Sequence, residues 1–519
     1  MSAEAGSWIR IGDRTKTKDE VDERARRAAR GYAELGVGRG DVVAVCMRND
    51  FPFIEASVGA GFVGAYVVPV NWHNTPEEAR YVLENSGAKV LVIHADLYRK
   101  LSHVVPAGIA VVVAATAPAL MRPYKVDAES ARVPDGATDW DAWIAGLAPL
   151  QPPFETSPGS MIYTSGTTGQ PKGVRRQPPT PEQALASQQM MRTLGGLDLW
   201  TRPINEVVLL IPGPAYHSSP NGWMFAFYNL GANLVIEPRF DPEGVLRTIQ
   251  DNRVTHALAV PTMFVRMLAL PAQTRAKYDL SSLVFATHVG APCAPHVKRG
   301  MIDWWGPVIT EHYGSTEVGA VTFCTSQEWL AHPGTVGRRL DGCQVVIMGE
   351  DGRVLEAGEA GEIVCGRDLY PEFTYHGDDG KRQRSGRGRL VATGDVGYFD
   401  ADGFLHLSGR ASDMIIFGGT NIYPAEIEAE LMKVPGVADC AVFGIPDEEF
   451  GEQVCAFIQP TDGADLDAEA IRADLKQRLA SYKLPRRIEF TASLPREDTG
   501  KIFKRKLREP FWLGVGRSI

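Results

Sequence analysis

Short, wholly apolar runs alternate with amphipathic segments through the first half of the chain, and no other feature narrows the fold as much. Val42 to Cys46 is such a run. It is followed by a helical stretch, Phe51 to Val63, and by a second run, Tyr66 to Val70. Thr75-Pro76-Glu77-Glu78 then opens a helix: Thr75 suits the cap, Pro76 the first turn, and Glu78 completes a capping box. Val90 to Ile93 follows as a strand, and the rhythm returns at Val207 to Ile211, Leu234 to Glu237 and His256 to Val260. Strands with no polar face must be covered on both sides, which implies parallel sheets flanked by helices. The apolar stretch Ile109 to Met121 is too short to span a membrane and is interrupted by Pro118, so it reads as a buried strand and a turn.

Beyond about Gly334 the texture changes. Strands become short and antiparallel in character at Gln344 to Met348, Gly361 to Cys365 and Phe404 to Leu407. After Gly409-Arg410 comes a final block of roughly a hundred residues, the size of a small domain. It reads as strand Met414 to Phe417, helix Pro424 to Met432, strands Ala438 to Phe443 and Val454 to Ile458, helix Ala468 to Leu479, and strand Arg487 to Phe490. That is a compact α+β unit.

Composition excludes several classes. With 519 residues, 44% hydrophobic and 23% charged, the chain can bury its core without disulfides and is neither disordered nor collagenous. A net charge of −9 argues against a general nucleic-acid or anionic-membrane binder. The segment from Lys483 to Ile519 nevertheless holds ten basic and four acidic residues, a local surplus able to meet phosphates. The seven cysteines are scattered without CxxC spacing, so zinc and redox motifs are absent and a reducing cytoplasm is expected. The start, Met1-Ser-Ala-Glu-Ala, lacks the basic and apolar regions of a signal peptide.

The densest chemical signal is Tyr163-Thr-Ser-Gly-Thr-Thr-Gly-Gln-Pro-Lys-Gly-Val174. Small residues let backbone N–H groups turn toward an anion, hydroxyls add donors, and Lys172 supplies charge. It is not a Walker A loop, because Gly173 rather than Ser or Thr follows the lysine. Composition alone also fits a flexible linker, but the apolar Met161-Ile-Tyr163 before it favours a structured loop.

This segment resembles the phosphate loop of the acyl-adenylate-forming superfamily, which holds acyl-CoA synthetases, adenylation domains and luciferases. Further segments resemble that family's motifs in order: His312-Tyr-Gly-Ser-Thr-Glu317, Thr393-Gly-Asp395, Gly409-Arg410 with Asp413, and Thr499-Gly-Lys501. The likeness runs from the Thr15 region to about Leu507. It implies a large N-terminal part, residues 1–411, of two parallel-type sheets with helices and a small β-barrel-like subdomain. Residues 412–519 would form a mobile α+β lid. One departure is Ser412, where the family's hinge is usually Asp or Lys.

The resemblance assigns roles residue by residue. Thr164, Ser165, Gly166, Thr167, Thr168, Gly169 and Lys172 would hold the β- and γ-phosphates of ATP. Glu317, with Thr164, would hold Mg²⁺. Gly290, Ala291, Pro292, His312, Gly314 and Ser315 would line the nucleotide site, with Tyr313 offering its ring to adenine and Thr316 meeting the α-phosphate. Asp395 and Arg410 would meet the ribose, and Lys501 would bridge the substrate carboxylate and the α-phosphate in the transition state. His217 would lie beside the acyl site and the thiol path. Arg239 would meet the nucleotide of coenzyme A, Gly418 and Gly419 would let the pantetheine pass close to the backbone, and Asn421 would belong to the cofactor-binding segment at the start of the lid. Trp223, Phe227, Val289, Gly290, Ala291 and Thr322 would form the acyl pocket. Taken singly, Glu317, Asp395, Arg410 and Lys501 would each read as ordinary surface groups, and Tyr313 and His217 as structural side chains.

The implied reaction joins a carboxylic acid to coenzyme A through acyl-AMP. The segment Pro292 to Glu317, with Trp304-Trp305, resembles bacterial ligases for fatty acids and bulky ring acids. Expected partners are the acid, ATP and coenzyme A, with no nucleic acid and no membrane span, and a homodimer is the assembly considered. Two rival readings stand beside this one: an adenylating enzyme that loads a separate carrier protein, and a non-catalytic nucleotide-binding regulator.

Overall fold

A computed structural model describes residues 6–164, 171–378, 380, 382, 386–410, 413–417, 420–496 and 502–513. The first sheet is parallel throughout, in the order Tyr66–Pro69, Val42–Cys46, Val90–His94, Ala110–Ala114, Thr138–Asp139. The second has Arg14–Thr17 as an antiparallel edge strand beside Trp8–Ile11, and from Trp8–Ile11 it runs parallel through Asn233–Ile236, Val208–Ile211, His256–Ala259, Phe285–His288 and Ile309–Ser315.

Period-two alternation divides these strands between separate cores. Val43 and Val45 face a central layer that also takes Leu209 and Ile211 from the second sheet. Val42, Ala44 and Cys46 face the outer helices of the first sheet, and Val208 and Leu210 those of the second. The helices Lys18–Glu34, Phe51–Phe62 and Ser218–Leu230 fill the central layer. Continuous apolar runs are therefore required, as the sequence implied.

The antiparallel strands are hydrogen-bonded onto the far edge of the second sheet. From Ile309–Ser315 the order continues through Gly319–Cys324, Thr335–Arg339, Phe404–Arg410, Leu390–Phe399, Gly361–Arg367 and Cys343–Met348. A separate three-stranded sheet joins Ile162–Thr164, Lys172–Arg176 and Phe373–Tyr375. The smaller C-terminal domain has its own sheet and core, with Val437–Asp447 paired to Gly451–Pro460 and Arg487–Phe490 parallel beside it.

The expected capping box forms: Thr75 accepts from the Glu78 amide and Glu78 from that of Thr75. The stretch after Ala110–Ala114 is a helix, Pro118–Tyr124, rather than a turn, because Pro118 occupies a first-turn position where its missing N–H costs nothing. All seven cysteines are free thiols. No helix among the described residues is long and apolar enough to cross a membrane.

Three buried imidazoles on the second sheet, His256, His288 and His312, set an acid limit on this fold. His256 is enclosed by Trp200, Phe227 and Phe285, and His312 stacks on Trp223. Burial pushes both down to about 4. Their neutral forms are favoured in the folded state, so the stability they contribute is full above about pH 6.5. It is lost as pH falls from there toward 4, where the unfolded chain takes up protons the native core refuses. We expect the melting temperature to drop steadily between pH 6.5 and 4.5, and His256→Phe to flatten that drop. A melting temperature constant over this range would contradict the assignment.

Candidate active site

The strands Ile162–Thr164 and Lys172–Arg176 pair antiparallel, with Thr164 opposite Lys172. The hairpin thus brings a hydroxyl and an ammonium together at the mouth of the glycine-rich loop. The Tyr163 hydroxyl anchors one arm by donating to Asn85 Oδ1 at 2.7 Å. Lys172 Nζ lies 2.7 Å from Asp378 Oδ2, so an incoming phosphate would compete with this carboxylate for the lysine. Ser165, Gly166, Thr167, Thr168 and Gly169 lie outside the described residues, as do Ser412, Gly418, Gly419 and Lys501. Of Asn421 only the backbone is described, opposite Ile416.

Glu317 sits on the tight turn between Ile309–Ser315 and Gly319–Cys324. A Cβ at Gly314 would come within 1.9 Å of the Gly319 carbonyl oxygen, so only glycine allows this crossing. Arg176 donates to the carbonyls of Thr316 and Glu317, fastening the phosphate-loop hairpin to the turn. The Tyr375 hydroxyl donates to Glu317 Oε1 at 3.0 Å. No group of three metal-ligating side chains occurs among the described residues. A lone half-buried carboxylate suits Mg²⁺, which is commonly held by one or two carboxylates together with substrate phosphates and water.

Tyr313 is buried, and its hydroxyl donates to Asp395 Oδ2 at 2.7 Å, with Thr393 Oγ1 at 3.1 Å. Burial and the Asp395 charge raise this phenol well above its ordinary value. Asp395 pairs in register with Arg410, whose Nε lies 3.1 Å from Oδ1. Oδ2 therefore already has a donor and Oδ1 a counter-charge, and an incoming diol would share or displace them.

The residues expected around the acid range from buried to exposed. Phe227, Trp223 and His312 stack in a ladder, with centroids 5.5 and 5.9 Å apart. Trp223, Phe227 and Thr322 are buried, Val289 and Ala291 half-buried, and Gly290 and Pro292 exposed. His312 Nδ1 meets Thr287 Oγ1 at 3.3 Å, and its ring lies beside that of Trp223. His217 precedes helix Ser218–Leu230, and Thr316 Oγ1 donates to Ser218 Oγ at 3.3 Å. The ATP-side turn and the His217 segment therefore touch.

Two expected features are partly neutralised. Arg239 leans on Tyr124 and donates to the Pro123 carbonyl. Much of the basic C-terminal surplus is paired: Lys483 with Glu426, Arg487 with Glu489, Arg496 with Asp439, and Lys504 with Glu428. The sequence reading missed Arg176, Tyr375 and Asp378, whose partners lie far along the chain. It also missed Lys298, which is fully buried with its Nζ 2.6 Å from Glu311.

Comparison with known proteins identifies the family. The model described as AMP-binding enzyme matches residues 4–369, and the AMP-binding enzyme C-terminal domain matches residues 426–501. A feruloyl-CoA synthase from an Amycolatopsis species is 32% identical, covering 97% of this chain and 95% of that protein. The fatty acid–[acyl-carrier-protein] ligase ScoC of Streptomyces coeruleorubidus is 31% identical, covering 98% of this chain and 93% of that protein. The crystal structure of ATP-bound MatB from Rhodopseudomonas palustris superposes with a TM-score of 0.83 at 26% identity, covering 100% of this chain and 98% of that one. With both family models matched in order and relatives aligned end to end, this chain belongs to the AMP-binding enzymes of the acyl-adenylate-forming superfamily and is an AMP-forming ligase.

Proposed function

We propose that this enzyme is an ATP-dependent acid–CoA ligase. A substrate carboxylate oxygen attacks the α-phosphorus of ATP, giving acyl-AMP and pyrophosphate. The thiol of coenzyme A then attacks the acyl carbon, losing its proton and expelling AMP. The supporting observation is that separate segments of the chain are hydrogen-bonded to one another. Arg176 ties the Lys172 hairpin to the Glu317 turn, Thr316 reaches Ser218 beside His217, and Tyr313 reaches Asp395. In this reading Thr164 and Lys172 hold the outer phosphates, Glu317 would hold Mg²⁺, which spreads the leaving charge, and Asp395 receives the ribose. Lys501 arrives from the C-terminal domain, with the boundary near residue 411.

The acid is medium- to long-chain or ring-bearing. The aromatic ladder of Phe227, Trp223 and His312 favours a flat ring, which can stack on it, over an extended chain, which must pass it. Trp223→Ala is expected to shift kcat/KM from aryl acids toward long-chain acids by about tenfold, on the scale of one or two methylenes in a pocket. An unchanged ratio would remove Trp223 from the pocket wall.

The test of the reaction is acid-dependent pyrophosphate release across a carboxylic-acid panel, with and without coenzyme A. Release that depends on acid, followed by acyl-CoA formation, is expected. Acyl-AMP that never reaches coenzyme A but does load an acyl-carrier protein would favour the activity named for ScoC. No acid-dependent release would overturn the ligation reading.

A further inference from the structure

Asn49 lies between strand Val42–Cys46 of the first sheet and helix Phe51–Phe62, and is 4% exposed. Its Nδ2 donates to the carbonyls of Gly213 and Glu237, each at 2.9 Å. Its Oδ1 accepts from the Ala215 amide at 2.8 Å. Gly213 and Ala215 follow strand Val208–Ile211, and Glu237 follows its parallel neighbour Asn233–Ile236. Those strand ends have run past their ladder, so their polar groups need other partners. One side chain from the other sheet supplies three.

Asn221 holds the same loop from its far side. Its Nδ2 donates to the Ala215 carbonyl at 2.9 Å, and its Oδ1 accepts from Ser160 at 2.8 Å. Ala215 is thus fixed at both its N–H and its C=O, two residues before His217. Glu237 is two residues before Arg239. The two segments held by Asn49 are therefore those that carry the groups assigned above to the thiol path and to the coenzyme A nucleotide. Lys172 and Glu317 sit on elements other than those to which Asn49 hydrogen-bonds.

We propose that Asn49 is a positioning residue for the thiol-transfer half-reaction, setting the Pro212–His217 and Glu237–Arg239 segments at a fixed spacing. This rests on the acid–CoA ligase reading. An aspartate cannot substitute, because a carboxylate donates to neither carbonyl.

The experiment uses the full chain carrying Asn49→Ala, Asn49→Asp or Asn49→Ser. Acid-dependent ATP–pyrophosphate exchange and single-turnover transfer from acyl-AMP to coenzyme A are measured separately, at a temperature where circular dichroism shows each variant folded. We expect exchange to be retained while kcat/KM for coenzyme A falls about tenfold to a hundredfold, the scale of a misplaced reacting group. Asn49→Asp should be as poor as Asn49→Ala, and Asn49→Ser intermediate. Equal losses in both half-reactions, or unaltered coenzyme A kinetics, would overturn the proposal. A wild-type enzyme that makes acyl-AMP but no acyl-CoA would instead overturn the ligase reading. If no variant folds, hydrogen exchange on the wild-type protein decides: a protected Ala215 amide supports the clamp, and rapid exchange across residues 213–217 refutes it.

Discussion

Glu317→Gln is expected to slow acid-dependent pyrophosphate release by about a hundredfold to a thousandfold, the cost typical of removing one preorganised charge-stabilising group. The substitution isolates charge. Gln keeps the size of the side chain and an oxygen that accepts the Tyr375 hydroxyl, which meets Oε1 at 3.0 Å. The backbone stays in place because Arg176 holds the Thr316 and Glu317 carbonyls. The glycine crossing at Gly314 is untouched. Melting temperature should therefore be unchanged, while the Mg²⁺ concentration giving half-maximal rate rises. Tyr375→Phe leaves the charge and removes only its hydrogen bond, so it should cost far less. A Gln variant with the wild-type rate and Mg²⁺ dependence would take Glu317 out of the metal role.

The contrast between Glu317 and its supports marks what the sequence made legible. Local patterns were readable because their physics is local. The all-apolar run Val42–Cys46 had to be a strand buried on both faces, and Thr75 with Glu78 had to cap a helix, whatever they packed against. The motif residues were readable through family resemblance, since Glu317 or Asp395 alone looks like any surface carboxylate. The residues that hold the motifs were not readable. Arg176 reaches Glu317 across 141 positions, and Tyr375 reaches it across 58. Lys298 looks like a solvated helix lysine until Glu311 is found beside it. Arg48-Asn49-Asp50 looks like a polar turn between two apolar elements. All three are buried: Arg48 reaches Asp96, Asp50 reaches His94 and Arg14, and Asn49 reaches the segments after two strands of the second sheet. The only signal was three consecutive polar residues where the neighbouring sequence demands a core.

The first residue of that trio supports the largest stability prediction. Arg48 and Asp96 are each 3% exposed and form a two-pronged pair, with Nη1 2.8 Å from Oδ1 and Nη2 2.9 Å from Oδ2. Burial alone would raise the Asp96 carboxyl, but Arg48 and the Thr116 hydroxyl outweigh it and hold it below its ordinary value. The guanidinium also rests on Tyr124, 4.4 Å from the ring centre, and on Trp72 at 5.2 Å. Arg48→Met retains much of the stem packing and leaves a buried carboxylate without its counter-charge. Breaking such a pair costs about 3–5 kcal/mol. At about 2–4 °C per kcal/mol for a domain of 150–250 residues, the melting temperature should fall by roughly 10 °C. Asp96→Leu strands the cation instead and should cost a similar amount. The double variant removes both charges, and apolar replacement of a whole buried pair is often neutral. We therefore expect Arg48→Met/Asp96→Leu to be more stable than either single variant. Additive losses in that cycle would mean that packing around Tyr124 and Trp72, rather than the charge pair, holds this corner of the first sheet together.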